Sequence, residues 1–179
     1  IAYGRTKEMF RVFEKLTGLK YPFNKYDQTI VAAFPWGGME NITATTMADT
    51  EIFAARSELL KAGVEDLVAH ELAHSWFGNL VTCRNWAELW LNEGFATFME
   101  AVFREKHYGR DSYDRKIASD AREYIAYAAA PGTEEHALFN TTADADNDDS
   151  MFTTVTYQKG GAVIHMLREE LGEEAFWKG

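Results

Sequence analysis

The sequence has almost no cysteine. Cys83 is the single cysteine among 179 residues. An intrachain disulfide is therefore impossible, and no thiolate cluster competes for a metal ion. We interpret Cys83 as a small apolar residue, because a nucleophilic thiol would need a histidine partner in space. A lone cysteine suits the cytosol and is also tolerated outside it, so the compartment stays open, with the cytosol favoured.

Basic residues and long apolar runs are also scarce. The chain has 18 Lys and Arg against 28 Asp and Glu, which gives a formal net charge of −10. This charge disfavours nucleic acid and anionic membrane surfaces as partners. No apolar run approaches the roughly 18 residues of a membrane span, and the N-terminal segment does not resemble a signal peptide. We therefore expect a soluble protein that binds neither nucleic acid nor membranes.

Apolar and aromatic residues are well represented. Hydrophobic residues make up 46% of the chain and aromatic residues 14%, which predicts a folded globular protein. The length suits a single domain with a real core. The chain starts at Ile1 rather than at a methionine, and residues 173–179 stop within the start of a helical pattern. We therefore expect a piece of a longer protein, with part of the active site supplied by the missing parts.

The apolar pattern predicts an α+β fold that is mainly α, with a short sheet before the helix at 63–77. Residues 3–18 have helical spacing and end at Gly18, a plausible cap. β-branched and apolar runs at 28–34 and 41–47 predict strands, separated by a turn or an irregular edge at 35–38. The remaining predictions are helices at 63–77, 86–108, 111–129 and 151–171, and a polar acidic loop at 141–150.

The motif H-E-L-A-H at residues 70–74 is the strongest functional signal. Residues four apart share a helix face, so His70 and His74 can present imidazole nitrogens to one ion. Glu93 follows after eighteen intervening residues. Two imidazoles and one carboxylate leave a fourth position for water, as at a catalytic zinc. The sequence predicts one zinc ion per chain, held by His70, His74 and Glu93; the alternative is an ordinary buried histidine pair.

Glu71 lies one step around the helix from the two histidines. A metal held there lowers the pKa of bound water toward about 7. Glu71 can take the water proton and pass it to a leaving group, which predicts hydrolysis of a carbonyl compound, most naturally a peptide bond. Asn92, Thr97 and Glu100 are candidates to support the ligands. For Thr97 and Glu100, an ordinary place on the helix surface is an equal alternative.

Four motifs occur in one order with sensible gaps. They are G-G-M-E-N at 37–41, H-E-L-A-H-S-W-F-G-N-L-V-T at 70–82, W-L-N-E-G-F-A at 90–96 and Y-Q-K-G-G at 157–161. Together they resemble the catalytic domain of the aminopeptidase N and leukotriene hydrolase family of gluzincins, from about residue 7 to the end. The resemblance implies a thermolysin-like peptidase catalytic domain over 1–179. It also implies that an N-terminal β domain and a C-terminal helical domain of the parent chain are absent here.

The resemblance assigns substrate binding to Gly37, Gly38, Met39, Glu40 and Asn41. This segment would pair with an extended peptide by strand addition, and its glycines allow close backbone approach. Glu40 would bind the free α-ammonium group, which has a pKa of about 8, through a charge-assisted contact. Only the first peptide bond then reaches the zinc, so the implied activity is that of an aminopeptidase acting on peptides with a free N-terminus.

Tyr157 resembles the family tyrosine that donates its phenol to the oxyanion of the tetrahedral intermediate. Taken alone, a tyrosine at this position would more often be a core residue. Gly160 and Gly161 favour the special role, because two glycines inside an apolar helix cost about 1 kcal/mol each relative to alanine. We therefore expect another segment to approach the backbone closely at these glycines.

Three other functions stay open. A thermolysin-type endopeptidase would use the same zinc site. A lipid-epoxide hydrolase activity occurs in one branch of the resembling family. A non-catalytic scaffold with the peptidase fold would be expected to lose ligands or base, whereas this chain keeps them all. An inactive isolated fragment is a further alternative, since its amine site and cleft wall are incomplete.

Overall fold

The computed structural model describes residues 3–57, 60–133 and 136–179. The fold is mainly helical with one small three-stranded sheet, as the sequence predicts. The chain divides into two compact units, Ile1–Leu80 and Val81–Gly179. In the part of the chain that the structure describes, every helix is too short or too polar to cross a membrane.

In its described residues, the first unit contains three helices and the sheet. Its helices are α1 (Thr6–Thr17), α2 (Asp49–Ala54) and α3 (Lys61–Ala73), and its strands are β1 (Asp27–Val31), β2 (Gly38–Met39) and β3 (Ala44–Ala48). Helix α1 ends at Gly18, whose φ of 69° suits glycine. The amphipathic face of α1 packs against α3, and it buries Met9 and Phe13. This packing fixes the helix that carries the histidine motif.

Strand β3 lies at the centre of the sheet. It pairs in parallel with β1, from Asp27 opposite Ala44 to Val31 opposite Ala48. It pairs antiparallel with β2, where Gly38 lies opposite Met47. The order β1-β3-β2 makes β2 an edge strand.

Both predicted strands are shorter than expected, for the same backbone reason. The strand predicted at 28–34 ends at Val31, and Ala33 has a φ of 54°. The strand predicted at 41–47 begins only at Ala44, directly after Thr43 with a φ of 66°. A left-handed residue cannot continue an extended strand. These conformations confine the pairing to five residues in each strand.

The second unit is built around α4 (Trp90–Tyr108), which packs against α5 (Arg110–Ala128) and α7 (Gly160–Leu171). A 3-10 turn (Trp86–Glu88) precedes α4, and α6 (Asp148–Met151) and α8 (Glu173–Lys178) are short. The central part of α4 is buried from Ala96 to Phe103, which makes it the core helix of this unit.

The helix predicted at 151–171 is interrupted. Helix α6 ends at Met151, and a π-turn (Val155–Lys159) precedes α7. In this turn the Lys159 N–H donates to the Thr154 carbonyl, five residues back, at 3.1 Å. The loop predicted at 141–150 is shortened at its end, because α6 begins at Asp148.

Cys83 is partly buried. Burial raises the pKa of its thiol, and the neighbouring carboxylates of Glu88 and Glu93 act in the same direction. A raised pKa keeps the thiol protonated and weakens it as a nucleophile. This agrees with the interpretation of Cys83 as a small residue without catalytic chemistry.

Candidate active site

The histidine motif lies at the C-terminal end of α3. This helix is buried on most of its circumference, including Val68, Ala69 and Leu72. His70, Glu71 and His74 are all buried. The imidazole ring centroids of His70 and His74 are 4.8 Å apart, as a spacing of four residues predicts.

His74 is held in one tautomer. Its Nδ1 lies 2.9 Å from the backbone carbonyl of Phe77. A carbonyl can only accept a hydrogen bond, so Nδ1 carries the proton and Nε2 keeps its lone pair. Metal-binding histidines are oriented by hydrogen bonds of this kind. His74 can therefore offer Nε2 to a metal ion, a property that the sequence motif alone does not establish.

Sequence reasoning missed Phe77. Its contribution is a backbone carbonyl, which no side-chain pattern reveals. The available signal was Gly78, which has a φ of 127° and lies in the turn region that follows the end of α3 at Ala73. The Phe77 N–H also bonds to the Ala73 carbonyl at 3.1 Å, so this turn is anchored to α3.

The G-G-M-E-N segment contains β2, an edge strand of the sheet. Gly38 and Met39 form β2, and the Gly37 carbonyl accepts a hydrogen bond from the Ala48 N–H at 2.9 Å. An edge strand is the structural requirement for strand addition by a peptide. The described geometry is thus compatible with the role that the resemblance implies for residues 37–41.

The same segment lies against Glu71. A Cβ atom built on Gly38 would lie 2.4 Å from Oε1 of Glu71, so the carboxylate sits directly on the strand backbone. Glu40, Glu71 and His74 offer ligand atoms that all lie within 4.8 Å of one another. The first unit therefore brings together the predicted base, the predicted amine anchor and one predicted metal ligand.

Hydrogen bonds from side chains add to the backbone pairing of this segment. The Asn79 side-chain amide donates from Nδ2 to the Glu40 carbonyl at 2.9 Å. The Thr46 hydroxyl donates to Oδ1 of Asn41 at 3.0 Å. Asn41 therefore anchors the strand with its side chain. Asn79, another residue that sequence reasoning missed, ties the segment after α3 to the segment at 37–41.

Glu93 belongs to the second unit, in the first turn of α4, and is buried. The preceding Asn92 accepts a hydrogen bond from the Cys83 N–H at 3.0 Å. Thr97 and Glu100 are also buried, so the alternative of an ordinary helix-surface position is wrong for both. Glu100 pairs with Lys116 of α5 at 2.9 Å.

Tyr157 lies in the π-turn of the second unit and is partly buried. The close approach predicted at the following glycines is confirmed. Gly160 contacts the backbone of Gly94 in α4, and Gly94 directly follows Glu93. The second unit therefore links the segment that carries Tyr157 to the segment that carries Glu93.

The chain is similar in sequence to one family of known proteins along its whole length. The Peptidase family M1 domain matches residues 1–179. Aminopeptidase N from Streptomyces lividans is 38% identical over 178 residues, covering 97% of this chain and 20% of that protein. Endoplasmic reticulum aminopeptidase 2 from Bos taurus is 35% identical over 170 residues, covering 93% of this chain and 18% of that protein. The chain thus spans about a fifth of the length of these curated relatives.

Solved structures share the fold. The native LTA4 hydrolase from yeast matches with a TM-score of 0.83 and 27% identity, covering 98% of this chain and 27% of that one. A variant of an M1 zinc metallopeptidase from Deinococcus radiodurans, bound to a Tyr-Ser-Ala substrate, matches with a TM-score of 0.72 and 29% identity. That match covers 99% of this chain and 35% of the other.

Proposed function

The chain belongs to peptidase family M1, and we propose that it is the thermolysin-like catalytic domain of a zinc aminopeptidase. The observation that carries this proposal is the grouping of Glu40, Glu71 and His74 beside an edge strand. The names of the relatives, which are aminopeptidases, support the same activity. Their greater length supports the view that further domains of a parent chain complete the cleft.

In this proposal His70, His74 and Glu93 hold one Zn²⁺ ion per chain. Neutral imidazoles and a carboxylate are the donor set of catalytic zinc sites. The hydrogen bond from His74 Nδ1 to the Phe77 carbonyl supports Nε2 as its ligand atom. When bound, zinc would polarise the substrate carbonyl and lower the pKa of water.

Glu71 is the general base. It accepts a proton from the attacking water and passes it to the leaving amine. Burial beside the backbone of Gly38 supports this role, because it holds the carboxylate next to the strand that would bind the substrate. Tyr157 donates its phenol hydrogen to the developing oxyanion, where such donors contribute most.

Glu40 selects the N-terminus. A peptide that adds to the edge of β2 would lie along Gly37, Gly38, Met39 and Asn41. Its α-ammonium group would then meet the Glu40 carboxylate, which is held close to Glu71. Anchoring the terminal charge there leaves only the first peptide bond near the base, which favours an aminopeptidase over an endopeptidase.

Two variants of the full-length protein test the chemistry. Glu71→Gln should retain zinc and lose turnover, because the base is removed and the ligands remain. His74→Ala should lose the metal. Zinc content and hydrolysis of aminoacyl chromogenic substrates are measured on the same samples. Turnover retained by Glu71→Gln would refute the base assignment, and a wild-type protein without zinc or turnover would favour the scaffold alternative.

A substrate comparison tests the amine anchor. Peptides with free N-termini should be hydrolysed, and the same peptides with acetylated N-termini should not, because acetylation removes the positive charge that Glu40 binds. Equal rates for both would remove this role from Glu40 and favour an endopeptidase of thermolysin type.

A further inference from the structure

Helix α4 and the start of α7 meet without any side chain between them. A Cβ atom built on Gly94 would lie 2.9 Å from both the Cα and the carbonyl carbon of Gly160. A Cβ atom on Gly160 would lie 3.0 Å from the Cα of Gly94. Both are shorter than an ordinary contact, which begins at 3.4 Å. The opposing atoms are backbone atoms, so they cannot rotate away; we call this contact the glycine crossing.

The glycine crossing joins two residues of the proposed mechanism. Gly94 directly follows Glu93, and Gly160 directly follows the π-turn that contains Tyr157. The Gly160 N–H donates to carbonyls of that turn, including Val155 five residues back. Such π-helical segments are rare in proteins, and many of those that occur lie at functional sites. The contact between Gly160 and α4 therefore fixes the C-terminal end of the π-turn.

We propose that the glycine crossing sets the position of Tyr157 relative to Glu93, so that Gly94 and Gly160 are positioning residues for the reaction. This inference rests on the proposed function. A methyl group on either glycine would push the two backbones apart by about 0.5 to 1 Å, and catalytic groups need placement within about 0.5 Å. A misplacement of about 1 Å can lower the rate by about 100-fold.

Gly161 supplies a matched control in the same helix. A Cβ atom built there would lie 3.2 Å from the Thr97 Cγ2 methyl group, and its other neighbours are at 3.4 Å. A side-chain methyl can move by a few tenths of an ångström. Gly160→Ala and Gly161→Ala gain the same helix propensity. They differ in how closely the new methyl approaches backbone, at 3.0 Å for residue 160 and at an ordinary 3.4 Å for residue 161.

The experiment measures kcat, KM and zinc content of full-length Gly94→Ala, Gly160→Ala and Gly161→Ala. For the first two variants we expect kcat to fall by about 30- to 100-fold with KM changed by less than about three-fold. KM should stay nearly unchanged because the residues proposed to bind the N-terminus of the substrate belong to the first unit. Gly161→Ala should keep kcat within about three-fold of wild type. Wild-type kcat in both Gly94→Ala and Gly160→Ala would overturn the inference.

A double-mutant cycle separates positioning from general stability. In a Tyr157→Phe background, Gly160→Ala should lower kcat by no more than about three-fold, because residues that act as a unit are not additive. An equal loss in both backgrounds would overturn the inference. Val102→Ala, which opens a cavity at a fully buried position of α4, is the stability control and should keep kcat while lowering the melting temperature.

The remaining outcomes are also decisive. If both Gly94→Ala and Gly160→Ala fail to fold by circular dichroism, the crossing is a folding requirement and the positioning role is wrong. If Tyr157→Phe has wild-type kcat, the proposed function fails at Tyr157 itself. Failure of the inference alone would leave a slow Tyr157→Phe variant beside fully active glycine variants.

Discussion

Replacement of Arg168 should strongly destabilise the second unit. Arg168 lies in α7 and is only 2% exposed, although it is charged. Its Nη2 lies 2.8 Å from Oε2 of Glu105 in α4, and it also pairs with Glu173 of α8. Its guanidinium carbon lies 5.0, 6.0 and 5.9 Å from the ring centroids of Tyr113, Phe98 and Trp177. One cation therefore connects four helices.

Arg168→Met keeps most of the apolar stem and removes the charge. Loss of one partner from a buried ion pair costs about 3–5 kcal/mol. Glu105 is 13% exposed and keeps Lys106 at 3.2 Å, so the lower end applies, about 3 kcal/mol. Lost cation–π contacts add about 1 kcal/mol. A total of about 4 kcal/mol corresponds to a fall in melting temperature of about 8–16 °C for a chain of this size.

The pH dependence of this loss is distinctive. Burial acts to raise the pKa of Glu105, but the hydrogen bonds and charges of Arg168 and, to a smaller extent, Lys106 together outweigh it and hold that pKa below its usual value. This stabilisation is therefore present above the unfolded pKa of about 4.3, and it is lost as pH falls through the lower folded pKa. In Arg168→Met the partly buried Glu105 carboxylate loses Arg168 and keeps only the weaker compensation from Lys106 and Arg110, so the difference in stability from wild type should shrink below about pH 4.

Thermal and urea unfolding, followed by circular dichroism between pH 3 and pH 8, measure both effects. The double variant Arg168→Met with Glu105→Gln also removes the carboxylate that has lost Arg168, and it should recover part of the loss of stability at pH 7. A melting temperature within about 2 °C of wild type, or a loss that is the same at every pH, would refute this reasoning.

Two further predictions concern the proposed reaction. Tyr157→Phe removes one oxyanion donor and should lower kcat by about 10²- to 10³-fold with little change in KM; an unchanged kcat in steady-state assays would contradict the role. Asn79→Ala removes the 2.9 Å hydrogen bond to the Glu40 carbonyl. It should raise KM for peptides by about three- to ten-fold, the equivalent of about one hydrogen bond, and leave the zinc content unchanged. An Asn79→Ala variant with wild-type KM would show that the segment at 37–41 is held by its sheet pairing and the Thr46–Asn41 hydrogen bond without help from Asn79.

The parts of the site that the sequence revealed are those with fixed local geometry. A spacing of four residues on a helix determines where His70 and His74 point, so their proximity was predictable. The glycine pair at 160–161 signalled a close approach, because glycine is unfavourable in a helix unless something requires it. The resemblance implied only that Glu40 binds the substrate amine. Its proximity to Glu71 depends on how β2 packs on α3, so it is visible only in the structure.

The features that escaped prediction depend on backbone conformation or on tertiary contacts. Ala33 and Thr43 have positive φ without being glycine. The residue types therefore gave no signal for the end of β1 or for the start of β3. The π-turn at Val155–Lys159 has a helical apolar pattern, and its wider hydrogen bonding is visible only in the structure. The carbonyl of Phe77 that orients His74 is a main-chain group, so a sequence motif, which specifies side chains, does not reveal its role.

Zinc content of the purified full-length protein tests the central claim most directly. Two variants belong beside the wild type: Glu93→Ala, which removes the proposed carboxylate ligand, and His136→Gln, a histidine control that instead bonds to Thr153. Elemental analysis should give one zinc ion per chain for wild type and His136→Gln, and almost none for Glu93→Ala after dialysis. A full equivalent of zinc retained by Glu93→Ala would contradict the account.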